Sequence, residues 1–256
     1  MSKVVSVLGV KIQVLPTQIA LEEIKELLAK GGAHSLFFVN AHTLNLAYED
    51  VGYRAALNSA DLILNDGIGV EIAARLFGVR FPENLVGTDF IPKLCALARD
   101  LNLSLYLLGS KPGVAELAAA KLKATLPGLE VVGAHHGYFS EAEEDEVIRA
   151  IQEASPDILL VGFGNPLQEK WIALHREVLR VPLSIGVGAF IDFAAGLVRR
   201  APCWARRARM EWVFRLMLEP GRLWRRYILG NPKFLWRVFR ARLCAARAWK
   251  EDGRWA

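Results

Sequence analysis

The sequence predicts an α/β fold: a Rossmann-like, mostly parallel sheet with helices on both faces, plus a C-terminal helical, Arg/Trp-rich appendage. Three observations predict it. Apolar runs of strand length alternate with helix-periodic segments of about 10–15 residues, the pattern of βαβ units. The alternation ends at Arg199, where composition changes. Residues 199–256 hold 16 Lys+Arg against 4 Asp+Glu, a charge of +12, and six of the 7 Trp; residues 1–198 hold 16 against 23, a charge of −7. The expected division is a catalytic body over 1–198 and a basic appendage over 199–256.

The elements follow in order. Val4–Leu8 and Lys11–Leu15 read as a hairpin around Gly9, and Thr17 as the cap of a helix reaching Lys30 before Gly31-Gly32. Ser35–Val39 is a buried strand, followed by two helical pieces between Thr43 and Ser59. Asp61–Leu64, Ser104–Leu108, Leu129–Ala134, Ile158–Gly162 and Leu183–Val187 are the further strands. Gly67–Phe77, Thr88–Asp100, Pro112–Thr125 and Pro166–Leu179 are helices between them, and Ser140 with Glu143 forms a capping box for another, ending at Glu153. In the tail, Pro220-Gly221 and Asn231-Pro232 divide three helical pieces.

Composition excludes several classes. With 53% hydrophobic and 23% charged residues the chain is no disordered polymer. Its 3 Cys are odd in number and scattered, which excludes a disulfide framework and points to a reduced compartment. No secretory signal is read at Met1-Ser2-Lys3. The longest apolar stretch, Val181 to Val198, holds Pro182, Asp192 and three glycines, so a membrane-spanning helix is not expected. No repeat or low-complexity segment occurs.

Open parallel sheets bind ligands beyond the carboxyl ends of their strands. The exits here are Asn40, Asn65-Asp66-Gly67, Gly109-Ser110-Lys111, His135-His136-Gly137, Gly164-Asn165-Pro166 and Gly186-Val187-Gly188. Asp66 is either a general base or the N-cap of the next helix; spacing leaves both open. In Gly162-Phe163-Gly164-Asn165-Pro166-Leu167-Gln168-Glu169-Lys170-Trp171, glycines follow a strand and the proline opens a helix, whose free N–H groups attract anions. Leu167 breaks the dinucleotide pattern G-x-G-x-x-G, which counts against a nicotinamide enzyme. No D-x-D pair is present to hold a metal. His135 and His136, as strand neighbours, are expected on opposite faces and not as joint metal ligands. Ser110 lacks a nucleophile context. The run Glu141–Glu146 reads as a solvated helix start. The tail's arginines interleaved with Trp204, Trp212, Trp224 and Trp236 suit a membrane surface, a nucleic acid or a phosphorylated ligand.

Three segments together resemble the WecG/TagA/CpsF glycosyltransferases, glycosyltransferase family 26. Asn65-Asp66-Gly67-Ile68-Gly69-Val70 is similar to the D-G-x-G-V segment of that family. Gly162 to Trp171 is similar to its G-x-G-x-P-x-Q-E-x-W motif, and Arg200-Ala201-Pro202 through Tyr227 to its C-terminal signature. The resemblance runs from about Phe37 to Leu235. It implies an inverting, metal-independent transferase without cofactor. Such an enzyme moves a hexose or N-acetylhexosamine from a UDP-sugar to a polyprenyl-diphosphate-linked saccharide, in polysaccharide or teichoic acid synthesis. It implies a peripheral protein at the cytoplasmic face, held by an anionic membrane surface rather than a nucleic acid, with self-association through the tail left open. Asp66 matches the catalytic base, Asn40 (26 residues earlier) and Gln168 the pocket amides, and Arg215, Arg222 and Arg225 the diphosphate-holding arginines. Gly109, Gly164, Asn165 and Asp192 complete the expected substrate-binding set. The chain departs from the family pattern at Phe38, where many members have Thr, and at Asn84, where many have Arg.

Overall fold

The computed structural model describes residues 3–198, 201–202 and 211–252, the side chains of Arg215, Arg222 and 245–252 excepted. Six parallel strands form one sheet: β3 (His34–Val39), β4 (Leu62–Asn65), β5 (Ser104–Gly109), β6 (Glu130–His135), β7 (Ile158–Gly162) and β8 (Leu183–Gly186), in the order β4-β3-β8-β7-β5-β6. A separate antiparallel hairpin, β1 (Val4–Val7) and β2 (Val10–Gln13), packs beside β4. From β2 the Gln13 amide accepts from Ile63 N (2.7 Å) and donates to Asp61 O (3.2 Å), so a side chain pairs with the exposed edge of β4.

Alternation along the strands sorts the core into two layers. Leu36, Phe38, Leu105, Leu107, Ile158, Leu160 and Ile185 point to one face, covered by α1 (Thr17–Lys30), α5 (Gly87–Asp100), α6 (Val114–Thr125) and α9 (Phe190–Ala194). Phe37, Val39, Ile63, Tyr106, Leu108, Leu159 and Val161 point to the other. That face carries the hairpin, α2 (Ala41–Glu49), α3 (Val51–Asn58), α4 (Ile68–Leu76), α7 (Glu141–Ala154) and α8 (Leu167–Leu179). The strands read as continuous apolar runs because both faces are covered.

The tail contributes α10 (Glu211–Leu218), α11 (Pro220–Trp224), a π-helical turn (Arg225–Leu229) and α12 (Gly230–Asp252). Phe234 and Val238, one helical turn apart on α12, are fully buried in the second core layer. Gly69 lets α4 lie close to α2: a Cβ there would stand 3.1 Å from the Ala41 Cβ, but at an ordinary 3.8 Å from the Phe234 ring. Lys233 and Arg237 pair with Glu49 of α2, Asn45 Nδ2 donates to Gly230 O at 2.8 Å, and the Arg237 guanidinium lies 4.5 Å from the Tyr48 ring centroid.

Four local expectations need correction. Thr17 is the first residue of α1 rather than its cap; its N–H (3.0 Å) and hydroxyl both donate to Glu83 of a distant loop. Pro166 is the N-cap of α8, one place earlier than expected, and its peptide bond with Asn165 is cis. Asn231-Pro232 does not break the tail. The chain stays helical from Pro220 to Asp252, because the preceding π-turn, with Gly230 N–H bonded to Arg225 O, shifts the hydrogen-bond register where proline lacks a donor. His135 and His136 do not diverge. The strand ends there and the rings lie against each other, centroids 4.3 Å apart.

Candidate active site

All six strands run the same way, so their carboxyl ends share one rim. Val39 of β3 pairs with Asn65 of β4, and Asp66 N–H continues the ladder to Val39 O at 2.8 Å. The next residue of each strand therefore places Asn40 and Asp66 side by side. Beyond them the β8, β7 and β5 exits bring Gly188, Gly164 and Ser110 to the same rim.

The cleft above this rim has a volume of about 1880 Å³ and is walled by both body and tail. Pockets for a single small ligand commonly measure ~300–1,000 Å³. This one has room for two substrates at once. Asn40, Asp66, Ser110, Lys111, Gly164, Asn165, Gln168 and Asp192 line it from the body; Trp212, Glu219, Arg225, Arg226 and Tyr227 line it from the tail. Phe38 and Asn84, the two departures from the family pattern, line it as well.

Asp66 is partly buried and does not cap α4. The N-cap is Gly67, at φ +97°, with no side-chain cap bond. Gly67 N–H is instead held by Asn84 Oδ1 at 2.7 Å. Asn40 does cap its helix: its Oδ1 accepts from His42 N (3.0 Å), Thr43 N (3.2 Å) and Thr43 Oγ1 (3.3 Å). Its Nδ2 group is left as the part that a ligand can use. Gln168 is buried, with Oε1 accepting from Gly164 N (3.1 Å) and Gly188 N (3.0 Å) and Nε2 donating to Glu169 (2.9 Å). Its amide binds two loops together. Asp192 accepts a hydrogen bond from Ser110, whose backbone is left-handed at φ +59°. Gly109 does not line the cleft. A Cβ there would stand 2.6 Å from Gly162 O, so this glycine lets β5 approach β7.

Of the three tail arginines, Arg225 is exposed and lines the cleft, its guanidinium 5.4 Å from the Trp224 ring centroid. The side chains of Arg215 and Arg222 lie outside the described residues, as do Trp204 and the cations at 199–200 and 206–209. Two residues escaped the sequence reading. His42, in the first turn of α2, faces the cleft, where burial and then the nearby Arg226 charge lower its pKa to about 4. Arg226 stands in the C-terminal signature but was given no site role of its own. Gly137, Tyr138 and Phe139 extend the wall past β6; Phe163 stacks edge-on with Phe139 (5.7 Å) and Trp171 (5.5 Å).

The sequence profile of the Glycosyl transferase WecG/TagA/CpsF family matches residues 5–248. The chain belongs to that family. A Bacillus subtilis (strain 168) protein named N-acetylglucosaminyldiphosphoundecaprenol N-acetyl-beta-D-mannosaminyltransferase is 34% identical over 196 residues, 77% of this chain and 75% of its own length. Proteins of the same name from Bacillus spizizenii (strain ATCC 23059 / NRRL B-14472 / W23) and Staphylococcus aureus (strain MRSA252) are 32% and 28% identical. The first match spans 201 residues, 78% of this chain and 77% of that protein; the second spans 240 residues, 93% of each chain. The cleft is thus the candidate active site of a family member whose named relatives act on a lipid-diphosphate-linked sugar. Among the described residues no helix is long and apolar enough to cross a membrane.

Proposed function

We propose that this chain transfers a hexose or N-acetylhexosamine from a UDP-sugar to a polyprenyl-diphosphate-linked saccharide, working at the cytoplasmic face of the cell membrane. The observation that carries the reading is the pairing of Asp66 and Asn40 at adjacent strand exits beneath a cationic tail. The relatives' names specify a β-linked product. UDP-sugars of this class are α-linked, so transfer is a single displacement with inversion. Asp66 takes the proton of the acceptor hydroxyl as that oxygen bonds to the donor's anomeric carbon. The bond from that carbon to the diphosphate breaks, and UDP leaves with the negative charge. Arg225, with Arg215 and Arg222 of the same tail, stabilises that charge. The Asn40 amide and the Gly164, Asn165 and Asp192 surface hold the donor.

The same reading assigns the tail a second task. On α12, Trp236, Phe239, Arg240 and Leu243 are exposed at helical spacing opposite the buried Phe234 and Val238. An apolar stripe with arginines suits an anionic lipid interface, where the acceptor resides.

The test is a transfer assay with a prenyl-diphosphate N-acetylglucosamine acceptor, anionic vesicles and a panel of UDP-sugars, run with and without EDTA. The expected result is UDP release and a glycosylated lipid with one donor, unchanged by EDTA. Absence of transfer from every donor, or tighter salt-sensitive binding to RNA than to vesicles, would overturn the reading.

A further inference from the structure

The cleft's floor rests on a buried carboxyl that the transfer chemistry does not use. Glu169, third residue of α8, is fully buried and makes no ion pair among the described residues. Its Oε1 accepts from Asn165 Nδ2 and from Gln168 Nε2, the latter at 2.9 Å. An amide is planar, so a bond from Gln168 Nε2 to Glu169 fixes where Gln168 Oε1 points. That oxygen holds Gly164 N–H of the β7–α8 loop and Gly188 N–H of the β8–α9 loop. A flipped amide would set its NH₂ donors against both backbone donors. The other carboxyl oxygen, Oε2, makes no hydrogen bond of normal geometry. The hydroxyl of Tyr53, a fully buried residue of α3, lies against Glu169, Asn165 and Thr43 and also makes no hydrogen bond of normal geometry. Thr43 in turn reaches Asn40.

We propose that Glu169 is the positioning residue of the donor pocket, fixing the Gln168 and Asn165 amides and, through Gln168, the Gly164 and Gly188 loops. The functional half of this statement rests on the transferase reading above; the structural half does not. Burial raises the Glu169 carboxyl above the usual carboxylate range. The Glu169 carboxyl and the Tyr53 hydroxyl lie side by side in the core, where one hydrogen bond between them serves both groups. Glutamine keeps an acceptor toward the amides and a second polar atom for Tyr53. Alanine does not.

The experiment compares wild type, Glu169→Gln, Glu169→Ala and Gln168→Leu. Amide hydrogen exchange is read over residues 162–168 and 186–189, and donor KM and kcat are measured in the transfer assay. Expected for Glu169→Ala are exchange and donor KM each raised about tenfold or more, with kcat changed less. Glu169→Gln restores both to within about threefold of wild type. Gln168→Leu raises exchange in the same two segments, and it decides the matter if Glu169→Ala fails to fold. Unchanged exchange in Glu169→Ala or Gln168→Leu would overturn the proposal. So would a Glu169→Gln variant as defective as Glu169→Ala, since the ionised charge would then be the operative feature. Should wild type transfer no sugar, the functional reading fails, and exchange alone still decides the positioning role.

Discussion

His42 and Asp66 face one cleft, and the His42 ring there disfavours its charged form. The His42 ring, partly buried beside Arg226, resists protonation until about pH 4, whereas an unfolded histidine binds its proton near 6.5. Below pH 6.5 the unfolded state therefore takes up a proton that the native state refuses. Stability falls from about pH 6.5 down to about 4, by on the order of 1–2 kcal/mol after discounting for the ring's solvent-facing edge. Thermal melts between these limits should show the loss, and His42→Gln should flatten that part of the curve. An unchanged pH dependence in the variant would remove His42 as the cause. Asp66 was named as either base or cap from the sequence, and spacing alone had no means to choose. The structure gives the cap position to Gly67, and Asp66 lines the cleft wall. Gln168 shows the converse. Its motif context pointed to the pocket, but one of its partners, Gly188, lies 20 residues further along the chain, beyond what a local pattern can reveal.

Helix α12 has two apolar stripes, and they do different work. Phe234, Val238 and Ala241 face the body, where α12 packs over α2 and α4. Phe234→Ala should cost roughly 3–4 kcal/mol of docking stability, the usual range for a buried phenylalanine. Limited proteolysis is the measurement: cleavage in the tail should appear before any in the sheet, and uniform cleavage of both would contradict the division into body and appendage. The sheet elements were readable because strands buried on both faces are unbroken apolar runs bounded by glycine, as in Ile158–Gly162. The tail was harder. Proline at 232 read as a break, whereas a π-turn just before it carries the helix through. Register shifts of that kind have no sequence period to betray them.

At the scale of the whole molecule, charge and shape act together. An acidic body and a +12 tail meet at the cleft; under the proposed function, the cations that hold the donor's diphosphate belong to the segment that also meets lipid. Binding to anionic vesicles should weaken steeply between 0.1 M and about 0.5 M salt, and Trp236→Ala/Phe239→Ala should lose most of it while still binding donor. Salt-insensitive binding, or binding unaffected by the double substitution, would place the lipid contact elsewhere. The central claim, that Asp66 is the base of a single displacement, is tested most directly by single-turnover transfer in Asp66→Asn beside wild type, with donor affinity measured on both. The Asp66→Asn rate should fall about 10²–10⁴-fold with donor affinity kept within about threefold. Transfer at the wild-type rate in Asp66→Asn would contradict it.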